Sequence, residues 1–276
     1  PMLTEPNNWT NDTTGGYYLN EITRQHTLVR NGDPTLLQPG KVLEFLNKLQ
    51  HVPYTINQHV LTVAMELEEK GYKIGKFLPL SAASLWEMPT RPDTEDKEVL
   101  FEWRKAKTDA ENRKKAYMRS MHVRTSITLD LAKKFKDKDE FYLPWSFDYR
   151  GRAYPIPPFL TIQDTDFGKS MLLFKEAAFM TPESEQWLAF QVATTYGLDK
   201  ASMADRQEWV TNNQQLITVI AEDPVGNIHE WEGVEEPWQF LAACDEYYRC
   251  CIACVSDFTS LPVATDATCS GLQILA

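Results

Sequence analysis

Several features that would place a protein in a common functional class are missing from this chain. It has no uninterrupted apolar run near the ~18 residues of a membrane-spanning helix, so we expect no membrane span. It also has no P-loop, no G-x-G-x-x-G fingerprint, no G-x-S-x-G elbow and no H-E-x-x-H pair. The sequence therefore lacks the usual motifs of P-loop ATPases, dinucleotide-binding enzymes, serine hydrolases and zinc proteases.

Cysteine is scarce, with five residues in a chain of 276. The odd number, in a chain large enough to build a core without disulfides, predicts a reducing compartment. Cys244, Cys250, Cys251 and Cys254 lie close together, and the last two have C-x-x-C spacing. Because neither a second pair nor suitably spaced histidines accompany them, we predict that they pack inside a buried helix instead of binding zinc.

Positive charge is confined to one part of the chain. The net charge is −11, yet residues 1–140 carry 21 basic and 20 acidic residues, whereas residues 141–276 carry 7 and 19. Within the first part, residues 104–138 hold 12 basic and 4 acidic residues. This segment is either a solvated charged face or a surface that lies along a phosphate backbone. In the second case, we predict an uninterrupted, exposed basic face.

Hydrophobic periodicity predicts an α+β fold that is mainly helical, with short antiparallel strands. Residues 1–40 have no helical period and are predicted to be an irregular loop with short strands, and residues 77–97 a connecting loop. Apolar stripes predict helices in five segments: 41–50, 57–72, 184–197, 201–223 and 237–254. Residues 95–136, which lack proline and glycine, predict one long helix or two. Ser184 and Asp205 are candidate N-caps or first-turn residues.

The segment Asp148-Tyr149-Arg150-Gly151-Arg152 is the first candidate site. Arginine forks suit phosphate oxygens, and a glycine between them lets the backbone approach a ligand closely. Neighbouring aromatic residues, including Tyr154, can stack on bases. A structural Asp–Arg pair in a turn, with the aromatic residues in the core, is an equally good interpretation.

The second candidate site is Asp266, which follows the apolar segment Leu261–Thr265 and precedes a turn of small residues. A predicted strand there would present one carboxylate as a ligand for Mg²⁺, which takes one or two carboxylates plus substrate phosphates. Alternatively, Asp266 is the N-cap of the next helix.

Glutamates 230, 232, 235 and 236 lie beside Trp231 and Trp238. Paired carboxylates near tryptophans also occur in glycoside hydrolases, so an acidic carbohydrate enzyme is a competing hypothesis. We favour a solvated acidic loop.

The two candidate sites, in this order and 118 residues apart, resemble elements of the single-subunit DNA-dependent RNA polymerases of the T7-like phage and mitochondrial type. The segment FDYRGRAYPIPP resembles the family's D-x-R-G-R-x-Y element, and DATCSGLQ resembles its first catalytic element, D-G-S-C-S-G-x-Q. The segments EEPWQFLAACDEY and PMLTEPNNWT…GGYY resemble neighbouring parts of the same family. Because these similarities are collinear over nearly the whole chain, they are more specific than any single motif.

The resemblance implies an architecture in three regions. Residues 1–54 would be the tail of an N-terminal domain, residues 55–138 a helical thumb, and residues 139–276 part of a polymerase palm. The thumb of this family packs against the RNA–DNA hybrid. We therefore expect contacts to nucleic acid from four thumb residues: Lys114, Lys115, Arg119 and Arg124.

The resemblance also implies site residues. Asp266 would be the catalytic Mg²⁺ ligand, within reach of Arg150 or Arg152 across an open cleft, and the backbone carbonyl of Ala267 would face a metal. Contacts to the template strand or hybrid would come from seven residues: Arg150, Gly151, Arg152, Tyr154, Ser270, Gly271 and Gln273. The sequence departs from the family where Ala267 replaces Gly, Thr268 replaces Ser and Ile274 replaces His.

The family's fingers helix and H-D element, which complete the active site, are absent from this sequence. We therefore expect a piece of a longer polymerase, inactive alone and monomeric when complete. Its partners would be double-stranded DNA, the RNA product and ribonucleoside triphosphates. Its location would be the cytoplasm of an infected bacterium, or the mitochondrial matrix if organellar, with a phage source preferred. The alternative is a non-catalytic nucleic-acid-binding module.

Overall fold

A computed structural model describes residues 1–10, 14–18, 27–29, 40–83 and 86–265. Its α-helices are α1 (Gly40–Gln50), α2 (Gln58–Lys70), α3 (Lys97–Ala116), α4 (Val123–Phe135), α5 (Asp166–Ser170), α6 (Pro182–Tyr196), α7 (Met203–Asn212), α8 (Gln214–Glu222) and α9 (Pro237–Tyr247). Its strands are β1 (Pro53–Ile56), β2 (Phe141–Tyr142), β3 (Trp145–Phe147), β4 (Ala153–Pro155), β5 (Leu172–Phe174), β6 (Ala178–Phe179) and β7 (Phe258–Thr259). The predicted α+β, mainly helical class is confirmed.

The strands form three small antiparallel sheets. The first has the order β2-β1-β5, in which Tyr54 lies opposite Phe141 on one side and Phe174 on the other. The second is the β3–β4 hairpin and the third pairs β6 with β7. The predicted boundary between residues 54 and 55 falls inside β1, so the central strand of the first sheet crosses it. The division into three regions stays a prediction.

Local capping signals explain where α2 begins and ends. The Asn57 side chain accepts a hydrogen bond from the Val60 N–H at 3.1 Å, which satisfies one of the free donors of the first turn. Gly71 ends the helix with φ +73°, a left-handed conformation that glycine adopts without strain. In α7, Ser202 and Asp205 form a reciprocal capping box.

The basic segment is nearly continuous helix with a π-helical turn at Tyr117–Met121 between α3 and α4. Tyr117 is buried there, and its hydroxyl donates to the Pro79 carbonyl at 2.6 Å. Single π-turns of this kind widen a helix locally and often occur at functional sites. The anchoring of Tyr117 fixes the turn against the loop that precedes α3.

Helix α9 lies at the centre of the core. It packs against α2, α5, α6 and α8, and nearly every one of its residues is buried. The rings of Phe77, Phe167 and Trp238 meet with centroids 4.7–4.9 Å apart. Asp166 of α5 also binds the start of α9, because its carboxylate accepts hydrogen bonds from the first-turn N–H groups of Trp238 and Gln239 at 2.8 and 3.0 Å.

Two predictions about local structure are wrong. Residues 261–265 are not a strand; the strand before Asp266 is β7, which ends at Thr259. Pro262 has no N–H to donate, and the N–H of Ala264 bonds to the Gln191 side chain at 3.2 Å, so neither can join a sheet ladder.

The cysteines are also less buried than predicted. Cys244 is buried in α9, but Cys250 and Cys251 are half-buried in the π-helical turn Tyr248–Ile252 that follows. Cys254 is exposed beyond that turn, because the helix ends before reaching it. Within the described ranges, no helix is long and apolar enough to cross a membrane.

Candidate nucleic-acid interface

The arginine–glycine–arginine segment forms the tip of the β3–β4 hairpin. The two strands pair Trp145 with Pro155 and Phe147 with Ala153, so residues 148–152 make the connecting loop. The strands are anchored in the core through Trp145 and Phe147, which are 2% and 5% exposed. The hairpin therefore projects its loop from a rigid base.

The carboxylate of Asp148 organises this loop. One oxygen accepts the backbone N–H groups of Arg150 and Arg152 at 2.9 and 3.0 Å. The other accepts Nε of Arg150 at 2.8 Å and also pairs with its terminal nitrogen. Burial alone would raise the pKa of Asp148, but the hydrogen bonds from Arg152 and Arg150 lower it below its usual value. Asp148 therefore remains ionised and holds the loop closed.

The two arginines have different surroundings. Arg150 forms an ion pair with Asp148 and lies 5.5 Å from the ring centroid of Tyr149, itself 78% exposed. Arg152 is exposed, and its guanidinium forms no ion pair with any residue of the described ranges. Both predicted interpretations are thus partly present: Arg150 is the structural Asp–Arg pair, and Arg152 is a cation available for a phosphate.

Gly151 is needed for its backbone conformation. Its φ is +79°, and a Cβ placed there would meet no atom of the described residues within 4 Å. Tyr154 is half-buried in β4 opposite Ser146. Of the nearby aromatic side chains, Tyr149 is therefore the one most available for stacking.

The four predicted thumb residues divide into two groups. Lys115 and Arg119 are exposed, Lys114 is half-buried, and within the described part of the chain none of these three forms an ion pair. Arg124 instead pairs with the buried carboxylate of Asp164 and lies 5.1 Å from the ring centroid of Phe159. Arg124 therefore has a structural role already, whereas the other three have no acidic partner among the described residues.

The basic face of residues 104–138 is exposed but not uninterrupted. Glu111 lies 3.9 Å from Lys107 on α3, and Lys133 pairs with Glu68 at 3.0 Å. Among the residues that the structure describes, no cation of this segment pairs with the acidic loop 230–236.

The predicted metal site lies outside the described residues. Asp266, Ala267, Ser270, Gly271 and Gln273 all belong to 266–276. The expected closeness of Asp266 to Arg150 or Arg152 therefore stays a prediction. Within the described ranges, no group of three or more His, Cys, Asp or Glu side chains could hold a metal ion.

Comparison with known proteins finds similarity to DNA-directed RNA polymerases. A family model of DNA-dependent RNA polymerase matches residues 179–276. The mitochondrial DNA-directed RNA polymerase of Neurospora crassa is 29% identical over 284 residues, covering 99% of this chain and 20% of the relative. The chloroplastic/mitochondrial DNA-directed RNA polymerase 2 of Arabidopsis thaliana is 30% identical over 287 residues, covering 99% and 28%. The DNA-directed RNA polymerase of Enterobacteria phage T3 is 30% identical over 283 residues, covering 99% and 31%.

Over nearly its whole length, the chain is similar to these DNA-directed RNA polymerases. The predicted resemblance is thus confirmed, and it extends over the basic helices and the hairpin as well as the region of the family match. The chain spans 20% to 31% of the length of these relatives. The relatives are mitochondrial, chloroplastic and phage polymerases, so they do not support the preference for a phage source.

The sequence analysis did not identify two buried polar residues, Gln191 in α6 and Glu246 in α9. They are 3% and 7% exposed, and both bond to the segment that leads to Asp266. A polar residue on the apolar stripe of each helix was the available signal. The periodicity reveals such a residue but does not reveal its partner.

Proposed function

We propose that this chain is part of a DNA-directed RNA polymerase and supplies a surface that holds the template strand or the RNA–DNA hybrid beside the catalytic carboxylate. The observation that carries the proposal is the hairpin loop, where Asp148 orders the backbone and the exposed Arg152 guanidinium has no ion pair among the described residues. An ordered, unpaired arginine can bind a phosphate without first breaking a contact within the protein. The relatedness to RNA polymerases supplies the substrate class.

The basic helices would extend this surface. Lys114, Lys115 and Arg119 lie on and beside the π-helical turn, and each neutralised phosphate releases a counterion. The partners would be double-stranded DNA, the RNA product and ribonucleoside triphosphates. Residues 1–54, 55–138 and 139–276 would correspond to the end of the N-terminal domain, the thumb and part of the palm. The complete polymerase would act as a monomer.

The candidate metal ligands have suitable chemistry for Mg²⁺. The carboxylate of Asp266 and the carbonyl of Ala267 are both oxygen donors, which this hard cation prefers. When held by these ligands, Mg²⁺ would supply stabilisation of the negative charge that develops on the oxygens in phosphoryl transfer. Asp266 would hold the metal, and Arg152 would keep the nucleic-acid backbone in register. Further carboxylates are required, so we propose that this chain alone does not synthesise RNA.

The decisive experiment compares Asp266→Asn with Arg152→Gln in the complete polymerase, measuring RNA synthesis and template binding for each. Asp266→Asn should abolish most turnover and leave template binding nearly unchanged, because it removes only the charge that holds the metal. Arg152→Gln should weaken template binding and reduce the magnitude of the negative slope of log K against log salt by about 0.9, the value for one phosphate contact.

A variant that keeps the size of the side chain provides the control. Tyr149→Phe leaves both arginines in place and should preserve the salt slope. Normal synthesis by Asp266→Asn would refute the metal assignment, and an unchanged salt slope for Arg152→Gln would refute the phosphate contact.

A further inference from the structure

We infer that Gln191 and Glu246 are positioning residues for the polymerase reaction, because they fix the backbone segment that leads to Asp266. The inference rests on the proposed function of Asp266. Residues 260–265, between β7 and that aspartate, have no strand or helix of their own. Their path must therefore be set by contacts with other parts of the chain.

Glu246 holds the beginning of the segment. One of its carboxylate oxygens accepts the Thr259 hydroxyl at 2.7 Å and the Ser260 N–H at 3.0 Å. The second oxygen lies 3.6 Å from a terminal nitrogen of Arg249. Glu246 projects from α9, the most buried helix of the described fold, so its own position is rigid.

Gln191 holds the end of the segment. Its side-chain oxygen accepts the Ala264 N–H at 3.2 Å, two residues before Asp266 in sequence. Strand β5 also holds the segment, because the Phe174 N–H donates to the Ser260 carbonyl at 2.9 Å. Fixed points thus occur at residues 259–260 and 264.

This arrangement would serve catalysis because a metal-binding carboxylate must be held at fixed geometry. Residues that orient a ligand without touching the metal typically change metal affinity or activity about 10–100-fold when they are replaced. Since Gln191 and Glu246 act through the backbone, we expect the lower end of that range.

The test uses the complete polymerase with Gln191→Met and Glu246→Leu, which remove the acceptors and roughly preserve side-chain size. Hydrogen exchange of residues 257–265, measured without Mg²⁺, should speed up about fivefold, the effect of losing one ordinary hydrogen bond. The kcat should fall about tenfold and half-saturation by Mg²⁺ should need more metal. Template affinity should stay unchanged. Glu246→Gln, which keeps an acceptor oxygen, should restore most of the kcat.

Gln239→Leu is the matched control. Gln239 is also buried, but its amide bonds to Asp166 and Glu236 at 3.1 and 3.0 Å and not to the segment before Asp266. It should lower stability without changing exchange at 257–265 or the Mg²⁺ requirement.

If Gln239→Leu changes hydrogen exchange at 257–265 and the Mg²⁺ requirement as much as the test variants do, general destabilisation is responsible and the inference is overturned. An unchanged kcat and Mg²⁺ dependence in Gln191→Met would also overturn the inference. If Glu246→Leu does not fold, the result for Gln191→Met alone decides. If Asp266→Asn loses RNA synthesis while Gln191→Met keeps a normal kcat and Mg²⁺ dependence, the inference is overturned but the proposed function stands. Normal synthesis in Asp266→Asn would instead refute the proposed function itself.

Discussion

Replacing Gly151 by alanine tests why a glycine separates the two arginines. Within the part of the chain that the structure describes, a Cβ at this position meets no atom within 4 Å, so no steric collision with a neighbouring residue is expected. The backbone has φ +79°, however, and a left-handed conformation costs a residue with a Cβ about 1–2 kcal/mol. We therefore expect Gly151→Ala to lower the free energy of unfolding by that amount.

The loop can relieve this strain only by breaking its internal contacts. Its closure depends on the Gly151 N–H donating to the Asp148 carbonyl at 3.0 Å, and on the Asp148 N–H donating to the Arg152 carbonyl at 2.9 Å. If the backbone at residue 151 rotates, these bonds open and Arg152 loses its fixed position. Gly151→Ala should therefore weaken template binding even if part of the stability loss is relieved locally.

The assays are thermal unfolding and template binding, compared with two other variants. For a chain near this size, about 1–2 kcal/mol corresponds to a melting temperature lower by about 2–8 °C. Gly151→Asn should cost less, because asparagine enters the left-handed region more readily. Gly233→Ala is the control, since its Cβ also meets no described atom within 4 Å and its φ lies outside the positive range. Equal melting temperatures for Gly151→Ala and Gly233→Ala would refute the argument from φ.

Three further predictions concern stability and binding. Asp166→Ala should lower the free energy of unfolding by about 2–3 kcal/mol, because it leaves two first-turn N–H groups of α9 without their acceptor. A loss under about 0.5 kcal/mol in urea titration would contradict this. Burial raises the pKa of Tyr54 to about 12, so its contribution to stability should persist below about pH 10 and disappear as pH rises through about 12. Tyr54→Phe should therefore lose less stability between about pH 9 and 11.5, and an equal loss would count against the assignment. Lys115→Gln should weaken nucleic-acid binding without changing stability. Arg124→Gln should lower stability without weakening binding, since Arg124 already has a buried acidic partner. Binding assays and thermal unfolding of both variants test this, and a binding loss in Arg124→Gln with none in Lys115→Gln would contradict it.

Helices with local start and stop signals could be predicted from the sequence. The boundaries of α2 follow from Asn57 and Gly71, and the first turn of α7 follows from Asp205 three residues after its cap. These signals act within one or two turns, so they are readable without knowing the rest of the fold. The π-helical turn at Tyr117 was not predictable in the same way, because its anchor is the distant carbonyl of Pro79.

The candidate site was predictable as a set of residue types but not as an arrangement. From the sequence, Arg150 and Arg152 are equivalent phosphate ligands. In the fold they differ, because the Asp148 carboxylate accepts the side chain of Arg150 but only the backbone of Arg152. Periodicity carries no information about which of two neighbouring cations a carboxylate selects.

The hairpin loop and the segment that leads to Asp266 are stabilised in the same way. The hairpin loop and the approach to Asp266 have few ladder hydrogen bonds, yet carboxylate or amide oxygens of Asp148, Glu246 and Gln191 accept their backbone N–H groups. Such acceptors order a loop without giving it regular structure. A functional side chain can then lie outside helices and strands and still be held rigidly. This explains why residues 261–265 could be mistaken for a strand: their apolar sequence fits one, and their actual stabilising partner lies 73 residues away in α6.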